Sequence, residues 1–168
     1  MLPSVNARMF RTVLGQFATG VTVITGLDSD ERLGLACQSF SSLSLDPPLV
    51  LFCAGRTSTS WPRIRRSGRF GVNILAEDQR EVCAAFGSTS APKFDVVGSR
   101  RTPGGTVVLD GVLAWLGCAI EAVHEGGDHD IVVGRVRELR MERQDDGPLL
   151  YFRGGHIMQD AVPTAKVC

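Results

Sequence analysis

Between Leu35 and Cys53 the chain reads LACQSFSSLSLDPPLVLFC, a run of small and hydroxylated residues followed by a proline pair and an apolar stretch. The hydroxyls and backbone N–H groups of Ala36 to Ser44 can each aim one hydrogen bond at an anion or at a heterocycle rich in acceptors. A serine-rich turn facing water would use the same residues. A second hydroxyl cluster, Thr57 to Ser60, precedes Trp61-Pro62, a helix-start signal whose unpaired N–H groups suit a phosphate. Arg56 and Lys93 could add charge there, and plain capping is the competing reading. His129 follows the turn Gly126-Gly127-Asp128, a position that suits a surface or satisfied core histidine as well as a ligand.

Other chemistries find no support in the spacing. Cys37, Cys53, Cys83, Cys118 and Cys168 are odd in number, scattered through apolar segments and free of any C-x-x-C pair, so they read as reduced thiols packed as small hydrophobes. His124 and His129 lie five apart on a strand, point to opposite faces and have no third ligand beside them, so no metal site is expected. The glycine patterns of the Walker and Rossmann motifs are absent.

The elements that must position these residues are mostly strands. Apolar residues at helical spacing from Asn6 to Phe17 predict an amphipathic helix, and Gly20–Gly26 and Arg32–Gln38 predict strands joined by a turn at Asp28–Glu31. The stretch 35–53 reads as strand, polar turn, strand, because four serines and two prolines make a poor helix. A short helix begins at Trp61 and stops at Gly68, Phe70–Leu75 is a buried strand, and Asp78–Phe86 is a helix. Ser88–Gly105 reads as a polar loop long enough to serve function. Strands follow at Val107–Leu109, Val112–Glu125, His129–Glu142 and Pro148–Arg153, and the tail from His156 onward fits no element. So many strands with so few helices predict a closed antiparallel barrel, since an open sheet would leave its edges exposed.

A chain of 168 residues with 43% hydrophobic and 21% charged residues predicts one soluble globular domain over 1–168, its core at about 9–155. Eighteen basic residues against eighteen acidic give no field to draw in nucleic acid or an anionic membrane. No apolar run approaches the ~20 residues that span a bilayer, and the N-terminus lacks a signal-peptide pattern, so the expected location is cytoplasmic. The apolar face of the first helix, added to the long strands, predicts a homodimer.

Five segments in order, FRTVLGQFATGVTVIT, QSFSSLSLDPPLVLF, GRFGVNIL, GGDHDIVVG and PLLYFRGG, resemble the flavin reductase-like family over Met9 to Gly155. Within it the chain is similar to the short-chain reductase components of two-component flavin-dependent monooxygenases. The resemblance implies a mainly β, split β-barrel of Greek-key type, dimeric, that reduces FAD or FMN with NADH and releases the reduced flavin to a partner monooxygenase. It implies that Ala36, Cys37, Gln38 and Ser39 run along the pyrimidine edge of the isoalloxazine, with Ser41 nearby. Ser44 and Leu45 would sit toward the phosphoribityl side, and Cys53 on the strand behind the ring. Ser58 and Ser60 would hold the phosphate, Lys93 and Phe94 would close over the flavin, and His129 would contact the nicotinamide. Direct hydride transfer needs stacking and orientation, so no catalytic side chain is implied. Two rival readings remain: a flavin-retaining oxidase of the pyridoxamine-phosphate-oxidase-like type, and a flavin-binding protein without turnover.

Overall fold

A computed structural model of the protein describes residues 5–89 and 92–157. Asn6 accepts from the backbone of Met9 at 2.9 Å and so caps α1 (Ala7–Leu14), which ends three residues earlier than the periodicity predicts because Gly15 to Phe17 turn away. None of the helix's residues is buried in the single chain. The short β1 (Thr19–Gly20) is followed by β2 (Thr22–Asp28) and β3 (Glu31–Cys37), joined by a tight turn in which Ser29 takes a φ of 56°. The polar segment expected to be a turn contains a strand of its own. β4 (Ser41–Leu45) pairs with β5 (Pro48–Gly55), with a register shift between Ser42 and Ser44.

After β5 come α2 (Trp61–Ser67), closed by Gly68 at a φ of 69°, then β6 (Arg69–Ile74) and α3 (Arg80–Gly87). The segment read as a loop from Ser88 to Gly105 carries a 3-10 turn at Lys93–Asp95 and the strand β7 (Ser99–Arg101), which pairs with β8 (Val107–Leu109). The long β9 (Ala114–Gly126) and β10 (His129–Met141) form one hairpin. β11 (Leu150–Phe152) and β12 (Gly155–Ile157) make a small sheet with β1; β12 uses His156, from a tail whose remainder lies outside the described residues.

The main sheet runs β3-β2-β6-β9-β10-β5-β4. It curls until its two ends approach, but β3 and β5 do not share a strand ladder. This corrects the expectation of a fully closed barrel: the barrel is split. Inside it Phe52 meets Trp61 edge-on at 5.6 Å and Phe70 at 5.0 Å, over a core that includes Ile24, Ile64, Val72 and Val132. Asn73 is fully buried, donating to Val23 O and Thr25 Oγ1 at 3.1 Å and accepting from Leu109 N at 2.8 Å. One side chain thus ties β6 to β2 and β8, and it leaves no donor or acceptor of its amide stranded in the core.

The cysteines behave as packed hydrophobes. Cys37, Cys53, Cys83 and Cys118 are free thiols, and burial pushes the Cys118 thiol up to about 12. Cys168 lies outside the described residues.

Candidate functional site

The split between β3 and β5 is where the expected site residues meet. Ser39 bridges it: its Oγ accepts from Cys53 N at 2.9 Å and lies 3.2 Å from Cys53 O. The Cys37 thiol, 3.2 Å from the same Oγ, lies 4.0 Å from Cys53 O. Thr22 Oγ1 donates to Cys37 O at 2.9 Å and holds the end of β3 against β2. A side-chain clasp therefore stands in for a strand ladder. Beside it opens a cleft of about 440 Å³ lined by Leu35, Ala36, Cys37, Gln38, Cys53 and His129 among others.

The sequence reading missed part of the wall. Val21, Gly55, Cys83 and Gly87 also line this cleft. Gly55 faces His129 across the β5–β10 register, and a Cβ there would stand 3.7 Å from His129 Nε2. The imidazole thus lies over bare backbone at the cleft mouth, a relation that depends on strand pairing and has no local sequence signal. Burial raises the Cys37 and Cys83 thiols above their ordinary values, so both are neutral at pH 7. The lining carries no lysine, arginine or carboxylate and is made largely of backbone and small side chains, a surface on which a flat conjugated ring can lie.

One end of the cleft leads to Gly34, the residue before Leu35. Its carbonyl accepts from Ser60 Oγ at 3.0 Å and from Lys93 Nζ at 2.8 Å. Gly34 is required for packing, because a Cβ there would lie 2.4 Å from the Phe86 ring. Phe94 packs edge-on against Phe86 at 5.1 Å, so the Lys93-Phe94 pair is anchored beside the cleft. Among the described residues no carboxylate lies within ion-pair distance of Lys93, and burial lowers its pKa. An ammonium with only a neutral partner is suited to meet an anion.

Other expected residues are placed differently. Ser58 Oγ accepts from Trp61 N at 3.2 Å, which is capping, and the buried Ser60 hydroxyl turns inward to Gly34. Arg56, considered as extra charge for a phosphate, is directed to Asp130 and Glu125, each at 3.1 Å. Asp130 also accepts from Trp61 Nε1 at 2.9 Å, and this bond, with those from the arginines, holds its carboxyl below the usual range. Arg63 and Arg66 are likewise engaged, by Asp28 and Glu31. Ser41 lines a neighbouring cleft of about 570 Å³ that shares Val21, Gln38 and Ser39 with the first. Ser44 and Leu45 line neither cleft and sit at the turn end of the β4–β5 hairpin.

The clasp can be tested directly. Ser39→Ala removes the partner of Cys53 N at a solvent-exposed site and is expected to lower stability by about 0.5–1.5 kcal/mol in urea unfolding. Unchanged stability would mean that the split is held by packing alone.

Comparison with known proteins agrees with this architecture. Residues 14–157 match the flavin reductase like domain. The reductase subunit HsaB of a flavin-dependent monooxygenase from Rhodococcus jostii is 52% identical over 151 residues, which is 90% of this chain and 77% of that protein. The crystal structure of nitrilotriacetate monooxygenase component B from Mycobacterium thermoresistibile is 47% identical, with a TM-score of 0.87 over 96% of this chain and 92% of that one. The Streptomyces globisporus C-1027 NADH:FAD oxidoreductase SgcE6, solved in complex with NAD and FAD fragments, is 33% identical, with a TM-score of 0.85 over 96% of this chain and 100% of that one. With the split barrel and the clasped cleft in place, these likenesses put the chain in the flavin reductase-like domain family.

Proposed function

We propose that this protein is an NADH-dependent flavin reductase that reduces FAD or FMN and supplies the reduced flavin to a separate monooxygenase component. The observation that carries the reading is the cleft in the barrel's split, lined by small side chains and backbone, with a histidine on its wall and, beside it, a lysine that has no carboxylate partner among the described residues. The isoalloxazine lies along Ala36 to Ser39 with Cys53 behind it, and its acceptors and N–H meet the backbone and Gln38. When bound, the flavin accepts hydride at N5, and the chain's part is to stack, orient and exclude water. The neutral thiols and the absence of an acid–base pair in the cleft wall suit that task. Nicotinamide approaches from the His129 side.

The phosphate lies toward Gly34, where Lys93 supplies the charge and Ser58 and Ser60 shape the backbone that faces it. This shifts weight from the serine hydroxyls, both engaged within the chain, to the lysine. Ser44, Leu45 and Ser41 act beyond the ring, toward a second copy of the chain. A homodimer is supported by the apolar face of α1: Met9, Phe10, Val13 and Leu14 are all more than half exposed, and Phe17 and Leu45 extend the same kind of surface. We place the protein, as one reductase domain, in the cytoplasm, where NADH is available. Among the described residues no helix is long and apolar enough to cross a membrane.

Steady-state oxidation of NADH with and without free flavin tests the function. Turnover that depends on added flavin is expected. Flavin held tightly through purification with a separate oxidisable substrate would favour the retaining oxidase, and binding without turnover would favour a flavin carrier. Light scattering at working concentration should give a dimer, and a monomer with and without flavin would count against that assembly.

Lys93→Met should weaken FMN on the order of tenfold while riboflavin changes little. The preference for FMN should also depend on pH in a definite direction. Burial disfavours the ammonium, so Lys93 loses its proton below the ordinary lysine value of 10.5. The preference is then full at neutral pH and falls as pH rises through that lowered value. Equal losses of FMN and riboflavin in the variant would remove Lys93 from the phosphate.

A further inference from the structure

His129 opens β10, and Asp128 precedes it in the turn whose Gly127 has a φ of 74°. The backbone here is fixed on both sides: Arg56 N donates to Asp128 O at 3.0 Å, and His129 pairs with Gly55 and with Gly126. Asp128 Oδ1 lies 2.7 Å from His129 Nδ1. An ionised carboxylate has no proton to give, and contact with the imidazole keeps the Asp128 carboxyl below its usual range, so the bond requires the proton on Nδ1. In the neutral ring Nε2 is then an acceptor only. That atom lies on the side of Gly55, whose missing Cβ leaves room for the ring at the cleft mouth.

We infer that Asp128 is a positioning residue that holds His129 in the tautomer whose Nε2 accepts a hydrogen bond from the carboxamide N–H of the reduced nicotinamide. The inference rests on the reading of His129 as the nicotinamide contact. A carboxamide carries N–H donors and one carbonyl acceptor, and a ring nitrogen that can only accept selects the donor side. The nicotinamide is thereby fixed in rotation about its ring–amide bond, and a dinucleotide whose amide is replaced by a methyl ketone loses the contact. Asp128 is suited to this role without any part in the fold, because its side chain is 93% exposed and its removal buries no unpaired group.

The test compares wild type, Asp128→Ala, Asp128→Asn and His129→Ala, each with NADH and with reduced 3-acetylpyridine adenine dinucleotide, which lacks the amide donors. Flavin affinity is measured alongside by fluorescence quenching. Asp128→Ala is expected to raise KM for NADH about 3- to 10-fold, the range of one lost hydrogen bond, with kcat changed less than about threefold and flavin affinity intact. Its kcat/KM preference for NADH over the analogue should fall toward that of His129→Ala. Asp128→Asn keeps a carbonyl acceptor for Nδ1–H and should stay close to wild type in both readouts. If His129→Ala is impaired while Asp128→Ala matches wild type, or if Asp128→Asn is as impaired as Asp128→Ala, the positioning role is overturned. If His129→Ala itself keeps wild-type NADH kinetics, the assignment of His129 fails first.

Discussion

A barrel that closes by hydrogen-bonded strands all the way round has no opening in its wall, so the Ser39 clasp is the feature on which the site depends. Two short contacts from one hydroxyl to the backbone of Cys53 hold β3 near β5 without zipping them together. The gap keeps unladdered backbone and small side chains on both lips, which is the surface that can receive a flat ring. The clasp residue Ser39 lines both the first cleft and its larger neighbour. Closing the split would satisfy more backbone groups and abolish the site, an instance of local structure that serves ligand binding at some cost in regularity.

Charge around the split is distributed with the same effect. The arginines of and beside α2 are numerous, yet Asp28, Glu31, Glu125 and Asp130 engage Arg56, Arg63, Arg65 and Arg66. These pairs, centred on the buried Asp130 and the part-buried Asp28, engage those guanidinium groups within the chain. Lys93, beside the cleft, has no acid within ion-pair distance among the described residues and donates instead to the Gly34 carbonyl. That leaves a cation at the Gly34 end of a cleft whose own lining carries no lysine, arginine or carboxylate among the described residues.

The residues of the wall explain why orientation is all the chain needs to provide. Neutral thiols, backbone and one imidazole cannot run acid–base chemistry through a nucleophile, and hydride transfer between two stacked rings does not ask for it. Release of a reduced flavin to another protein is consistent with a groove of this openness. The exposed Phe17, just past α1, lines the neighbouring cleft together with Phe40 and Ser41.

Much of this was legible in the sequence, for physical reasons. Period-two alternation and β-branched residues place the core strands, Trp61-Pro62 and Gly68 bracket α2, and the start of the hydroxyl-rich run, Ala36 to Ser39, lines the cleft, because these signals are local and act through backbone preference. Five short motifs in order identified the family. What only the tertiary structure decided depends on partners far apart in the chain. The sequence could not show that Ser39 meets Cys53, that Ser60 and Lys93 share one carbonyl at Gly34, or that Arg56 is taken by Asp130, since a polar side chain's partner is set by which strands curl together. That the barrel stays split was implied by the family resemblance and could not be read from the strand pattern alone. Edge exposure argues for closure from composition alone, and it is overruled here because β5 is already paired with β10 and β4, while one hydroxyl, delivered by the curvature of seven strands, meets the backbone of Cys53 where β3 comes near.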